Sequence, residues 1–240
     1  MSNDKTLLVV SHYAPRPQTP LTKLTETLRS LACNILVVIN DDNASAESTD
    51  VLYGSIPILR RPNRGMNIGG WDAAYKAYPD YDFYIFMQDE CEVIRGDFLQ
   101  NYVSELSKDN VGMTGESINP KWDADWRKIA ESPLNYIVGF DPGGLPVTRV
   151  TYYLHCMKKW KIDPGTNGRH LRSLVWAFNR GALALIKGFP TGLHKEECIA
   201  AEIAVSKNIE QHGLLVTQVA ERPFTFIHHV EWQKDGYKKI

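Results

Sequence analysis

The chain has 240 residues, 43% hydrophobic and 23% charged, and its 27 Lys and Arg nearly balance 28 Asp and Glu for a formal net charge of −1. That composition fits an ordinary globular domain with room for a sizeable core, and it lacks the basic footprint of a duplex nucleic-acid binder. The four cysteines, Cys33, Cys91, Cys156 and Cys198, show no metal-type spacing and read as reduced thiols. The start, Met1-Ser-Asn-Asp-Lys5 before a short apolar run, does not read as a secretory signal, and no apolar stretch is long enough to cross a bilayer. A cytoplasmic protein is expected, with peripheral contact to the inner face of a membrane left open.

In chain order, Leu7 to Val10 reads as a first strand leading into a polar loop, Ser11 to Pro17. Thr19 then serves as an N-cap with Pro20 at the first helical position, and Leu21, Leu24, Leu28 and Leu31 recur at helical spacing. Ile35 to Ile39 is a second strand, ending at the polar turn Asn40-Asp-Asp-Asn43, and Ile56 to Leu59 a short third. The Gly-rich segment Arg60 to Asp72 leads into a helix over Ala73 to Tyr78. Phe83 to Gln88 is a buried strand that stops at three carboxylates, Asp89, Glu90 and Glu92, after which Asp97 caps a helix carrying Leu99, Val103 and Leu106. Continuous apolar strands alternating with helices predict an α/β fold with a mainly parallel central sheet flanked by helices. Right-handed crossovers would place the loops after these strands along one edge, where open α/β sheets bind ligands.

From about Glu116 to Asn167 the chain reads as irregular, with the aromatic and acidic cluster Trp122-Asp-Ala-Asp-Trp126. Regular structure resumes with a strand at Leu174 to Phe178 and helices at Arg180 to Ile186 and Cys198 to Gln211. A strand follows at Leu214 to Val219, then a β-type stretch at Phe224 to His229. With no clean linker, residues 1–240 are read as a single domain.

The chain has neither a G-x-x-x-x-G-K-[ST] loop nor a G-x-G-x-x-G after the first strand, so a nucleotide would be held by other means. Crowded carboxylates at Asp89 and Glu90 point to a divalent cation, Mn or Mg, bridging a phosphate. Asp41 and Asp42 suit a base or ribose. Gly65, Gly69 and Gly70 either allow tight turning and close helix packing or let a ligand approach the backbone, the second favoured by the neighbouring Arg60, Arg61, Arg64 and Asn67, with Asp72 at the head of the next helix. Glu202 falls near the middle of the apolar arc of its helix, and burial there makes a carboxylate a better general base. Glu196 and Glu197 compete with it for that role. Alternation puts His228 and His229 on opposite faces, so one of them can reach the cation. Trp122, Asp123 and Trp126 suit a sugar acceptor, whose C–H face stacks while its hydroxyls bond to Asp.

Together these pieces resemble the A-type glycosyltransferases, and most of all their large family 2. Ile35 to Asn43 is similar to the family's nucleotide-binding acidic turn, and Asn63-Arg-Gly-Met-Asn-Ile-Gly-Gly resembles its Asn-x-Gly segment. Met87-Gln-Asp-Glu-Cys-Glu-Val93 resembles the metal-binding "DxD" region, with Glu90 in the place of the principal Asp. Lys187-Gly-Phe-Pro190 is similar to the Gly-Gly-Phe turn, and Ala201-Glu202 falls on the Glu-Asp pair that holds the catalytic base. The resemblance implies metal-dependent, inverting transfer from a nucleoside-diphosphate sugar to a glycan or lipid-linked glycan. Residues 1–115 would form the nucleotide-sugar half and 116–240 the acceptor half. It implies donor contacts from His12, Asp41, Asp42, Asn67, Gly69, Asp72, Gln88 and Asp89, and metal ligation by Asp89, Glu90 and His228 or His229. A catalytically inactive glycan- or nucleotide-binding protein on the same scaffold, or a sugar-1-phosphate nucleotidyltransferase, is the alternative.

Overall fold

The protein is described from a computed structural model that covers residues 5–31, 33–52 and 55–229, with backbone only at 51 and 52. Strand β1 (Thr6–Tyr13) is followed by helix α1 (Thr19–Arg29), β2 (Asn34–Asp41), β3 (Ser48–Leu52), β4 (Ile56–Pro62) and α2 (Met66–Ala77). Next come β5 (Phe83–Gln88), β6 (Cys91–Val93), α3 (Phe98–Leu106), β7 (Val111–Gly115) and α4 (Trp126–Ala130). The remainder is β8 (Ile137–Phe140), β9 (Pro146–Thr148), α5 (Arg149–Lys159), β10 (Val175–Asn179), α6 (Arg180–Ile186), α7 (Lys195–Gln211), β11 (Leu215–Gln218) and β12 (Ile227–His229).

Eight strands form the main sheet in the order β11-β7-β10-β5-β1-β2-β4-β3, and two small sheets pair β12 with β6 and β8 with β9. The α/β expectation holds: β1 runs parallel to β2 and β5, and β2 parallel to β4. Strands β10 and β3 run antiparallel to their neighbours. Alternation along β1 explains the two-faced core. Leu8 and Val10 pack with Leu21, Leu24 and Leu28 of α1 and Phe98 of α3 on one face. Leu7 and Val9 pack with Trp71 of α2 and Val205 of α7 on the other. At the centre of that second face the Trp71 and Trp176 rings meet edge-on at 5.2 Å, and Phe86, Phe178 and Phe189 close around them.

Several elements differ from the sequence reading. β1 continues through Ser11, His12 and Tyr13, because their backbones stay paired with β2. Gln18, not Thr19, is the N-cap of α1. The Gly-rich segment is itself the start of α2. The stretch from 116 to 167, read as irregular, contains α4, the β8–β9 hairpin and α5.

The glycines of α2 are explained by packing rather than by a ligand cradle. A Cβ on Gly69 would sit 1.9 Å from the carbonyl oxygen of Arg64, and one on Gly70 would press on Asn40 and Val38 of β2 at 3.1 and 3.2 Å. Gly65 is left-handed at φ 79° and faces Thr191. We expect Gly69→Ala to destabilise the protein by about 1–3 kcal/mol, read as a lower urea midpoint at unchanged slope. A wild-type midpoint would mean that the Arg64 carbonyl retreats freely.

Candidate functional site

The parallel strands deliver their polar ends to one edge, and each carboxylate there already has a partner. Asp41, at the end of β2, accepts a hydrogen bond from Asn43 N–H at 2.9 Å and pairs with Arg60 at 2.7 Å, which together hold its pKa below the usual carboxylate range. Asp42 accepts from the Tyr13 hydroxyl and from Asn63 Nδ2 at 2.9 Å, and its pKa is likewise lowered. After β5, Asp89 is buried and its Oδ2 lies 2.5 Å from His12 Nδ1. The other ring nitrogen of His12 is buried without a hydrogen-bond partner. Glu90 is met by Arg16 from the loop after β1 and lies 3.5 Å from His229 Nε2.

His229 reaches Glu90 because β12 pairs antiparallel with β6, with His229 opposite Cys91 and His228 opposite Glu92. As the alternation predicts, the two imidazoles part company: His229 is buried and His228 is half-buried. The segment is fixed from below by Glu116 at the end of β7. Its buried carboxylate accepts from Phe226 N–H at 3.2 Å and from the Tyr102 hydroxyl at 2.9 Å. Burial pushes the Glu116 pKa up to about 7.

Glu202 stands on α7, its side chain 17% exposed. Its Oε1 accepts from the backbone N–H of Ser173 at 2.9 Å, and burial raises its pKa. Gln88 at the end of β5 donates to the Ser173 carbonyl at 2.6 Å, so one residue of the loop before β10 joins Glu202 to the strand that carries Asp89. His170 Nε2 lies 3.8 Å from Glu202 Oε1, while its Nδ1 faces the Gly168 carbonyl at 2.7 Å. Burial lowers the His170 pKa to about 4, so the ring stays neutral and leaves Glu202 without an imidazolium partner. Glu202 and Asn67 line a cavity of 170 Å³ with Met66, Ser173, Lys195 and Cys198. Asn67 accepts from Ser11 Oγ at 3.1 Å, which ties this cavity to β1. Asp89 and Glu90 line a larger cleft of 570 Å³ between the start of α1 and β6.

Some expected site residues are engaged elsewhere. Glu197 reaches back to Leu193 N–H at 2.7 Å, a capping contact that lowers its pKa and points it away from the Glu202 cavity. Asp72 accepts from Phe189 N–H at 2.8 Å and pairs with Lys76 at 2.6 Å, bracing the turn before α7 rather than a ligand. Gly69 is packed against Arg64. Trp122 and Trp126 are buried in a third core cluster, with Trp122 5.5 Å from the Tyr153 ring, and Asp123 pairs with Arg169 at 2.9 Å. Those rings present no open face to a sugar. Sequence reasoning passed over Arg16, Ser173 and Glu116, and placed Tyr13 on the shared edge without giving it a role. The signal for Arg16 was its place between Pro15 and Pro17, which restrict the backbone on both sides.

Among the described residues no three His, Cys, Asp or Glu side chains already converge as a metal cage. The donor set is nonetheless chemically apt, since carboxylate oxygens from Asp89 and Glu90 and an imidazole nitrogen from His229 suit Mn or Mg with open positions. No described helix is long and apolar enough to cross a membrane.

No protein-family model matches the sequence, and neither does any curated protein. Among solved structures the chain is similar to a mannosyltransferase from Pyrobaculum calidifontis in complex with GDP-Man and Mn2+. The TM-score is 0.53 at 12% identity, over 89% of this chain and 54% of that one, so the chain spans about half the length of that enzyme. It is also similar to the catalytic domain of Drosophila β1,4-galactosyltransferase 7 in complex with xylobiose (TM-score 0.44, 9% identity, 94% of this chain and 70% of that one). A third similar structure is a putative glucose-1-phosphate thymidylyltransferase from Bacillus anthracis (TM-score 0.45, 9% identity, 89% and 85%). The first of these likenesses shows the A-type glycosyltransferase fold.

Glu116 gives a pH test of how this edge is held. Its pKa is raised from 4.5 to about 7, so between those values the folded chain holds a proton that the unfolded chain releases. Stability therefore falls as pH rises across that window, by up to about 3 kcal/mol from this group. Glu116→Gln should flatten the fall, seen as a smaller difference in urea unfolding free energy between about pH 5 and about pH 8. Parallel pH profiles for variant and wild type would remove Glu116 as the source.

Proposed function

We propose that this protein transfers a sugar from a nucleoside-diphosphate sugar to an acceptor hydroxyl, with a divalent ion at the tip of β5. The observation that carries this reading is a single sheet edge. It holds Asp41 and Asp42 at one end, Asp89 and Glu90 with His229 beyond, and Glu202 linked to β5 through Ser173 and Gln88. The fold is that of A-type glycosyltransferases, and the mannosyltransferase it resembles was solved with GDP-Man and Mn2+.

On this reading the Asp41 and Asp42 turn receives the base and ribose, with Tyr13 and Asn63 orienting Asp42. Asp89, Glu90 and His229 hold the ion, which when bound neutralises charge on the departing diphosphate. Glu202 takes the proton from the acceptor hydroxyl as that oxygen attacks the anomeric carbon, giving inversion. Its environment suits the task. Burial raises its pKa against the opposing pull of Arg172 and Arg149, the Ser173 N–H fixes one oxygen, and the His170 ring near it is neutral. The acceptor is a glycan or lipid-linked glycan. Support for the lipid-linked form comes from the β8–β9 hairpin, where Ile137, Phe140 and Leu145 are exposed. Tyr136 anchors that hairpin to Glu196 in the first turn of α7, the helix that carries Glu202.

Glu202→Gln should fold normally and lose transfer by about 10²-fold or more, in the range for removing a general base. Wild-type turnover in that variant takes Glu202 out of the reaction. Asp89→Ala with Glu90→Ala should abolish Mn-dependent binding of nucleoside-diphosphate sugars. Calorimetry with and without Mn checks this, and metal-independent binding of wild-type strength would remove the ion from the donor site.

A further inference from the structure

Glu90 is not left bare at the acidic tip. Its side chain is 22% exposed and already carries a cation, the Arg16 guanidinium, which is itself 49% exposed. Arg16 lies in the short loop between β1 and α1, where its N–H bonds back to the Tyr13 carbonyl at 2.9 Å. Tyr13, the last residue of β1, is itself tied to the turn after β2, since its hydroxyl donates to Asp42. The loop therefore spans the gap between the acidic turn after β2 and the acidic tip after β5. A nucleoside diphosphate with its ribose at Asp42 and its phosphates reaching Glu90 has to lie along that gap.

We propose that Arg16 is a placeholder for the divalent ion on Glu90, and that arrival of the ion hands its guanidinium over to the diphosphate of the donor. The inference rests on the reading of Asp89 and Glu90 as the ion site. With no ion, two adjacent carboxylates need a counter-charge, and Arg16 gives it to Glu90, while the His12 ring lies 2.5 Å from Asp89. A hard divalent ion prefers the same carboxylate oxygens and competes for them. Once displaced, the guanidinium offers a planar fork that fits phosphate oxygens. Pro15 and Pro17 restrict the backbone on either side of Arg16, so the released side chain stays beside the diphosphate path. The ion therefore loses some affinity to Arg16 while the donor gains from it. The two ligands become coupled, and the coupling is reciprocal.

Calorimetry on the full chain tests this with Mn alone, then with UDP and with GDP at saturating Mn. An exposed ion pair is worth little, so Arg16→Gln should bind Mn alone about two- to fivefold tighter. The same variant should bind the better of the two nucleotides about tenfold more weakly. Arg16→Lys keeps the charge without the fork and should lie between on both measures. Circular dichroism confirms that the variants fold. Unchanged or weaker Mn binding by Arg16→Gln, with wild-type ion binding intact, overturns the placeholder and leaves the ion site standing. Tighter Mn binding with unchanged nucleotide affinity overturns the handover. If neither wild type nor Arg16→Gln takes up Mn, the ion site itself fails, and the proposal with it.

Discussion

Asp41, Asp42, Asp89 and Glu90 stand along one edge of the sheet, and their mutual repulsion has to be met within the chain before any ligand arrives. Three of the partners, His12, Tyr13 and Arg16, come from the end of β1 and the loop after it. Arg60 of β4 holds Asp41, Tyr13 and Asn63 hold Asp42, His12 holds Asp89, and Arg16 with His229 holds Glu90. The exposed pairs among them add little stability, while Asp89 and His12 are buried. Here their effect is positional, because every pair stitches one loop to its neighbour. The edge becomes a fixed row of acidic groups rather than a set of independent turns.

The opposite requirement governs Glu202. There burial outweighs the pull of Arg172 and Arg149 and raises the pKa, which is what a general base at this position would need. Strand β10 runs antiparallel to β5. The start of β10 then lies at the carboxylate edge, so Ser173 can offer a backbone N–H to Glu202 and a carbonyl to Gln88. A neutral donor steadies the oxygen without adding a counter-charge. The aromatic cluster of Trp71, Phe86, Trp176 and Phe189 lies behind it in the same layer. Close packing of this kind gives the positions of α2 and α7 little slack.

The parallel half of the sheet was legible in the sequence because its strands are buried on both faces and read as unbroken apolar runs. Strand β3 was not, since Ser48-Thr-Asp-Val-Leu52 is a short edge strand with few apolar residues. The 116–167 region was misread for a similar reason. Its α4 and its hairpin strands are short, while the buried Val150, Tyr153, Cys156 and Met157 of α5 recur at a helical spacing that the reading did not use. Glu202 was legible because helical spacing marks a carboxylate on a core-facing arc. Glu197, on the same helix, looked equivalent by type, and only three-dimensional contact reveals it as a cap on Leu193. Asp72 and the Trp122 cluster went the same way. Pairs such as Arg16 with Glu90 join residues far apart in the chain, so no local pattern could announce them.

The small sheet of β6 and β12 joins residues separated by more than half the sequence. Closing so long a loop costs more entropy than the neighbouring β1–β2 pairing, and contacts of that range form late. During synthesis the acidic tip would leave the ribosome long before His229, with Arg16 and His12 already made to shield it. Pairing of β1 with β5 and completion of the acidic corner are thus separate events in the life of the chain.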